Sequence, residues 1–312
     1  MTGVVVKSMG KWYAVRDGDG VMWQCRIRGK MRMKGLRHTN PIAVGDHVII
    51  EPEEGDEGQA VILEIEERKN YIVRRSVNLS KETHIVASNI DVAFLLVTIA
   101  RPRTSLGFID RFLVVADAYD IPTVIVFNKI DEYSEEERQV AGIYREIYEG
   151  IGYTCLDVSA LHGQGVDEVA DKMKGKQCMV GGHSGAGKST LINAINPELN
   201  IRTSEVSDYH EKGKHTTTFA EMHELGNGGY IIDTPGIKGF GIVTIPRDQL
   251  HHHFPEMFDL LPECKFHNCL HLAEPGCAVK AAVESGAVAE SRYNSYLSMY
   301  EEDEGPYRTV NY

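Results

Sequence analysis

The chain has 312 residues, of which 42% are apolar, with 33 basic and 45 acidic side chains and a net charge of −12. That length suggests roughly two or three domains, and the apolar share excludes a globally disordered chain. No run approaches the roughly 20 apolar residues of a membrane span. Residues 1–11 hold no apolar leader core with a small-residue cleavage site, so a cytoplasmic protein with no membrane partner is expected.

The acidic balance argues against nucleic-acid binding by overall charge, but the distribution carries more information than the sum. Between residues 26 and 37 lie Arg26, Arg28, Lys30, Arg32, Lys34 and Arg37, with no acidic residue among them. The acidic excess sits elsewhere, around 51–57, 135–137 and 301–304.

Taken in chain order, roughly the first 75 residues predict short strands near 3–8, 11–16, 21–27, 47–51 and 60–65, separated by turns such as Asp17-Gly18-Asp19-Gly20. About five short strands and one longer loop fit a small barrel such as an OB-fold, although any small barrel has the same pattern. From about residue 89 the pattern changes. Residues 91–99 and 122–127 are nearly continuous apolar runs, as parallel strands buried on both faces require. Helical periodicity spans 108–119. The stretch 134–149 opens on Ser134 with Glu137 three residues on, a capping-box pattern. A strand at 153–158, a helix at 166–173 and a strand at 177–180 complete an alternation that predicts a doubly wound α/β sheet. After residue 240 the strand signal fades, and the helix-prone stretch 278–300 belongs to a small third unit. The expected division is 1–75, 76–245 and 246–312.

Gly182-His183-Ser184-Gly185-Ala186-Gly187-Lys188-Ser189 matches the P-loop pattern, follows a predicted strand and opens a predicted helix that runs on through Thr190. Its glycines let backbone N–H groups curl around phosphates, and the helix N-terminus adds a favourable dipole. Lys188 is expected at the β- and γ-phosphates and the Ser189 hydroxyl on Mg²⁺. Asp233-Thr234-Pro235-Gly236 follows a predicted strand, so Asp233 can hold Mg²⁺ and Gly236 can offer its N–H to the γ-phosphate. Without a P-loop, that tetrapeptide would read equally well as a turn.

The base is set by Asn128-Lys129-Ile130-Asp131, at the carboxyl end of a buried strand. A carboxylate only accepts hydrogen bonds. Guanine offers N1–H and its 2-amino group side by side, whereas adenine would leave Asp131 partly unpaired. The Lys129 stem can cover one face of the base. Ser159-Ala160, at a later strand end, can place a backbone N–H near guanine O6. The motif order is unusual: Asn128–Asp131 and Ser159-Ala160 precede the P-loop, and Asp233-x-x-Gly236 comes last. That is a circular permutation, tolerated when domain termini lie close together. It makes the segment after Gly236 lead directly into the C-terminal unit.

Cys264-x4-Cys269-x-His271-x5-Cys277 supplies three thiolates and an imidazole within fourteen residues. Four such ligands suit tetrahedral Zn²⁺ with no open position, hence a structural site. His267 is a spare nearby. The run His251-His252-His253 is read as a polar, RNA-facing surface, because adjacent helical residues point in different directions.

The permuted motif order, the basic barrel-like N-terminus and the Cys/His cluster together resemble the RsgA (YjeQ/YloQ) family of small-ribosomal-subunit biogenesis GTPases over almost the whole chain. The segment Gly213-Lys214-His215-Thr216-Thr217-Thr218 belongs to the same resemblance. The family implies an N-terminal OB-fold, a permuted GTPase domain and a zinc domain. It also implies binding to the small ribosomal subunit and its rRNA late in assembly, with ribosome-stimulated GTP hydrolysis. A monomer is expected. The family pattern points to Thr217 for the Mg²⁺ shell, with Thr216 as the alternative.

The position that often carries a water-orienting Gln is here Ile237. His215, between the P-loop and Asp233, is the candidate catalytic group beside Lys188, since a histidine can orient water near neutral pH. Two rival classes are an ATPase or kinase, which Asp131 argues against, and an RNA-binding module with a decayed site, which intact Lys188, Ser189 and Asp233 argue against.

Overall fold

The computed structural model describes residues 1–28, 41–53, 55, 57–75, 83–201, 221–233 and 245–302. Lys30, Arg32, Lys34, Arg37, the 213–218 segment with His215 and Thr217, and Gly236 lie outside the described residues, as does the side chain of Asp233.

Five strands form the N-terminal barrel: β1 (Thr2–Met9), β2 (Trp12–Asp17), β3 (Met22–Ile27), β4 (His47–Pro52) and β5 (Gln59–Ile65). β1 pairs β2, β2 pairs β3, β3 runs parallel to β5, β5 pairs β4, and β4 returns to β1, closing the sheet. This is the connectivity of a five-stranded Greek-key barrel of OB type. Alternation along the strands points Val5, Tyr13, Val15, Cys25, Val48, Ile50, Ala60 and Ile62 inward, where they form one core. The β2–β3 turn is held by Asp17, whose carboxylate accepts from Asp19 N, Val21 N and Trp23 Nε1.

A hairpin of β6 (Tyr71–Arg75) and β7 (Thr83–Ser88) follows. The barrel is pinned to it at a buried carboxylate. Asp46 accepts from Arg68 Nε at 2.6 Å, Ser88 Oγ at 2.6 Å and Ala43 N at 2.8 Å. Gly45 beside it has φ +94°, and a Cβ there would overlap Ser88 O, so only glycine fits.

The central sheet comprises β8 (Val92–Val97), β9 (Thr123–Asn128), β10 (Thr154–Val158), β11 (Gln177–Gly181), β12 (Glu221–Glu224) and β13 (Tyr230–Asp233), in the order β10-β9-β8-β11-β13-β12. All neighbours are parallel except β12, which is antiparallel to β13. The helices are α1 (Leu106–Ala118), α2 (Glu135–Gly150), α3 (Val166–Met173) and α4 (Lys188–Ile195). The sheet is doubly wound: Ala93, Leu95 and Val97 of β8 pack with α1 and α2, while Val92, Phe94 and Leu96 pack with α3 and α4. The capping box at α2 is present, with Ser134 and Glu137 exchanging bonds.

β12 also pairs with β1 at Glu221 and Lys7, so barrel and central sheet form one continuous eleven-stranded sheet. Ion pairs Lys7–Glu221, at 3.0 Å, and Arg16–Glu224 flank the seam.

The C-terminal unit contains a 3-10 turn at Arg247–His253, then α5 (Pro255–Leu260), α6 (Ala278–Ser285) and α7 (Glu290–Glu301). The helix-prone stretch 278–300 is two helices, because Gly286 takes φ +79° and caps α6. This unit packs on α1 through Val114, Leu250, Phe254, Met257, Tyr296 and Met299. Beneath that contact Arg292, 1% exposed, donates to Asp110 Oδ1 at 2.8 Å and Glu256 Oε1 at 2.7 Å. Burial opposes its charge, and the two carboxylates more than offset that, holding its pKa above the ordinary arginine value. No helix among the described residues is long and apolar enough to cross a membrane.

Candidate nucleotide site and metal centre

The parallel strands β8, β9, β10 and β11 end at one sheet edge, where α/β proteins bind ligands, and three of the sequence motifs meet there. Asn128 is the last residue of β9 and is 1% exposed. Its Nδ2 donates to Ala186 O of the P-loop at 2.8 Å, and its Oδ1 accepts from Ala160 N at 3.1 Å. One buried amide thus joins the base motif, the P-loop and Ser159-Ala160. Tyr133 Oη donates to Asn128 O at 2.8 Å and fixes the strand end from below.

Lys129 adopts φ +62°, turning the chain sharply off the strand, and its Nζ donates to Arg101 O at 2.7 Å. Asp131 lies in the short 3-10 turn Ile130–Glu132. A hydrogen bond from the buried Ser159 hydroxyl holds its carboxyl below the ordinary range, so the group is an ionised acceptor at neutral pH. The His162 ring approaches the same carboxylate, with Nε2 at 3.4 Å from Oδ2.

β11 runs out into Gly182, whose φ of +134° aims the chain away from the sheet; a Cβ there would lie 2.6 Å from Leu96 O. Ser184 and Gly185 follow, with Gly185 at φ +82° and against Pro102. Gly187, at φ +95°, caps α4, and a Cβ on it would overlap Asn128 Nδ2. Ser189 and Thr190 fall in the first turn of α4. Lys188 Nζ arches back over the loop to Gly182 O at 2.8 Å and His183 O at 2.7 Å. His183 stacks on Phe108 of α1 with ring centroids 3.9 Å apart. Burial, then the Lys188 charge, keeps its pKa below the ordinary histidine value.

Of the basic stretch, Arg26 and Arg28 are described, and both are paired with acidic residues: Arg26 with Glu53 at 2.6 Å and Arg28 with Glu51 at 3.0 Å. These are exposed pairs, which are weak and screened by salt.

Cys264, Cys269, His271 and Cys277 converge, their ligand atoms all within 4.8 Å of one another. A tetrahedral zinc with bonds of roughly 2.3 Å to sulfur needs ligand atoms about 3.5–4 Å apart. His271 Nδ1 stands 3.3 Å from Cys277 Sγ and 3.7 Å from Cys264 Sγ, so the donor set and its spacing fit such an ion. His271 has φ +61°, and the loop is secured by Glu274, which accepts from Leu270 N and Leu272 N, and by Tyr293 Oη on His271 O.

Of the histidine run, one member, His251, departs from the expected polar surface, while His252 is exposed. His251 is buried, at 3% exposure, with its ring 5.0 Å from that of His271. His253 pairs with Asp117 at 2.8 Å, and His252 makes a T-shaped contact with Phe258. The 3-10 turn sets these side chains on different sides, one of them inward.

Tyr133, Phe108, Arg101 and the Arg292 network escaped the sequence reading. None carries a local motif, and all but Tyr133, five residues from Asn128, act through a partner distant in the chain. β12 was missed because Glu-Met-His-Glu has one apolar residue and no alternation.

A P-loop downstream of its base motif, on a doubly wound sheet that carries an N-terminal barrel and a C-terminal Cys/His cluster, defines a circularly permuted GTPase. The sequence model described as RsgA GTPase matches residues 65–243, and that of the RsgA N-terminal domain matches residues 2–60. The chain belongs to the RsgA GTPase family. It is 54% identical to the small ribosomal subunit biogenesis GTPase RsgA of Christiangramia forsetii, over 100% of this chain and 99% of that one. It is 52% identical to the protein of the same name from Bacteroides fragilis, over 99% and 100% of the two chains. Among solved structures, YjeQ from Thermotoga maritima superposes with a TM-score of 0.79 at 38% identity, covering 96% of each chain. YloQ, a circularly permuted GTPase, superposes with a TM-score of 0.76 at 30% identity, covering 98% of this chain and 96% of that one.

Proposed function

We propose that this protein hydrolyses GTP to GDP and phosphate while bound to the small ribosomal subunit late in its assembly, and that the subunit stimulates the reaction. The observation that carries the nucleotide reading is the double hydrogen bond of Asn128 to Ala186 and Ala160, which joins the Asn128–Asp131 segment to the P-loop and to Ala160.

In this reading Asp131 accepts from guanine N1–H and the 2-amino group, the Lys129 stem lies over one face of the base, and Ala160 N–H faces O6. The N–H groups of 182–190 surround the phosphates, and Lys188 swings from the loop carbonyls onto the β- and γ-phosphates. Mg²⁺ bound with the nucleotide would supply positive charge against the phosphates. Ser189, Thr217 and Asp233 hold it, and Gly236 N–H senses the γ-phosphate. His215 orients the attacking water. Residues 1–75 bind rRNA through Arg26, Arg28, Lys30, Arg32, Lys34 and Arg37, residues 76–245 turn over GTP, and residues 246–312 hold one structural Zn²⁺. The protein works as a cytoplasmic monomer.

The names of the relatives and the resemblance of the motifs support the ribosomal partner. Sedimentation with purified small subunits tests it: binding is expected to be tight with a non-hydrolysable GTP analogue, weaker with GDP, and weaker again with added salt. Equal sedimentation in both nucleotides would remove the switch, and none in either would remove the partner.

A further inference from the structure

His251 Nδ1 and His271 Nε2 are both buried, and neither has a hydrogen-bond partner. A buried polar atom left unpaired is costly, so two on neighbouring rings call for one explanation. His271 turns Nδ1 toward Cys264 and Cys277. A metal held through Nδ1 fixes the tautomer that carries hydrogen on Nε2, the orphaned atom. A metal-ligating histidine almost always donates that second N–H to an acceptor.

We propose that His251 is that acceptor: His271 Nε2–H donates to His251 Nδ1, and His251 thereby positions the histidine ligand of the metal centre. The rings are at the right separation. A straight N–H···N bond of about 3 Å, with each nitrogen about 1.1 Å from its ring centre, puts the centroids on the order of 5 Å apart. The observed separation is 5.0 Å. The rings are steeply inclined, at 85°, which still lets an N–H point along the in-plane lone pair of the other ring. His251 Nδ1 makes no other hydrogen bond that this pairing would have to break. The same bond explains why His251 is buried beside Leu250 in a 3-10 turn that is otherwise polar and largely exposed. It couples that turn, which packs on α1 of the GTPase domain, directly to the metal loop.

This inference rests on the reading that the cluster binds zinc, and the experiment separates the two. Metal analysis of the purified full-length protein establishes zinc first; a zinc-free wild type would overturn both. In zinc-loaded protein labelled with ¹⁵N-histidine, a scalar coupling across the N–H···N bond between His271 Nε2 and His251 Nδ1 is expected, and its absence overturns the proposal. Zinc transfer to an excess of chromophoric chelator gives the second readout. His251→Phe fills the space without an acceptor and is expected to weaken zinc retention about 10- to 100-fold. His251→Gln restores an acceptor oxygen and is expected to recover most of that loss. Retention equal to wild type in His251→Phe, or no recovery in His251→Gln, assigns His251 to packing alone.

Discussion

Asn128 Nδ2 donates to the carbonyl of Ala186 at 2.8 Å, across 58 residues of chain. The bond keeps the base motif and the phosphate loop in register although they lie far apart in the chain. Asn128→Ala removes it together with the Ala160 bond and leaves two buried backbone groups unpaired, each costing about 1–3 kcal/mol. GTP affinity is expected to fall roughly 10- to 100-fold, read by titration of a fluorescent GTP analogue. Affinity within twofold of wild type would detach Asn128 from the site.

Asp131 supplies base discrimination. Asp131→Asn places an amide donor against the guanine donors, so GTP binding should weaken by at least about a hundredfold. Xanthosine triphosphate, which presents an acceptor where guanine has the 2-amino group, should then bind better than GTP. Competition binding with both nucleotides reads this, and unchanged GTP preference contradicts the assignment.

The legible part of the molecule was the part whose signals are local. Buried parallel strands such as β8 announce themselves by continuous apolar runs, α2 by Ser134 and Glu137, and the P-loop and zinc spacings by their own residues. The chain order of the motifs was enough to read the permutation. What stayed hidden depends on tertiary pairing. β12 is polar and exists because it zips β13 to β1, and the β6–β7 hairpin has no tight-turn signature between its strands. His251 reads as surface among three histidines until the 3-10 turn points it inward. Arg292 lies in a polar stretch, and its two carboxylate partners are 36 and 182 residues away.

That buried arginine yields a stability prediction. Arg292→Met strands Asp110 and Glu256 in the contact between α1 and the C-terminal helices. Breaking a buried pair by removing one partner costs about 3–5 kcal/mol. Thermal unfolding should show the C-terminal unit melting earlier, well before the GTPase sheet. A melting profile identical to wild type would mean that the carboxylates are relieved in another way.

Metal removal is expected to act on the same unit. Zinc should be present at one per chain, and Cys269→Ser or prolonged chelation should loosen α5–α7 while leaving GTP affinity largely intact. Protease resistance of the C-terminal unit with and without chelator reads the effect, and equal resistance argues against a structural metal.

GTP turnover by the purified protein, with and without purified small ribosomal subunits, tests the central claim most directly. Slow turnover of GTP alone is expected, since Ile237 stands where a water-orienting glutamine often lies. Subunits should raise kcat by an order of magnitude or more. ATP should not substitute, and Lys188→Ala should abolish the activity. Turnover that is indifferent to the subunit, or equal for ATP, would contradict the account.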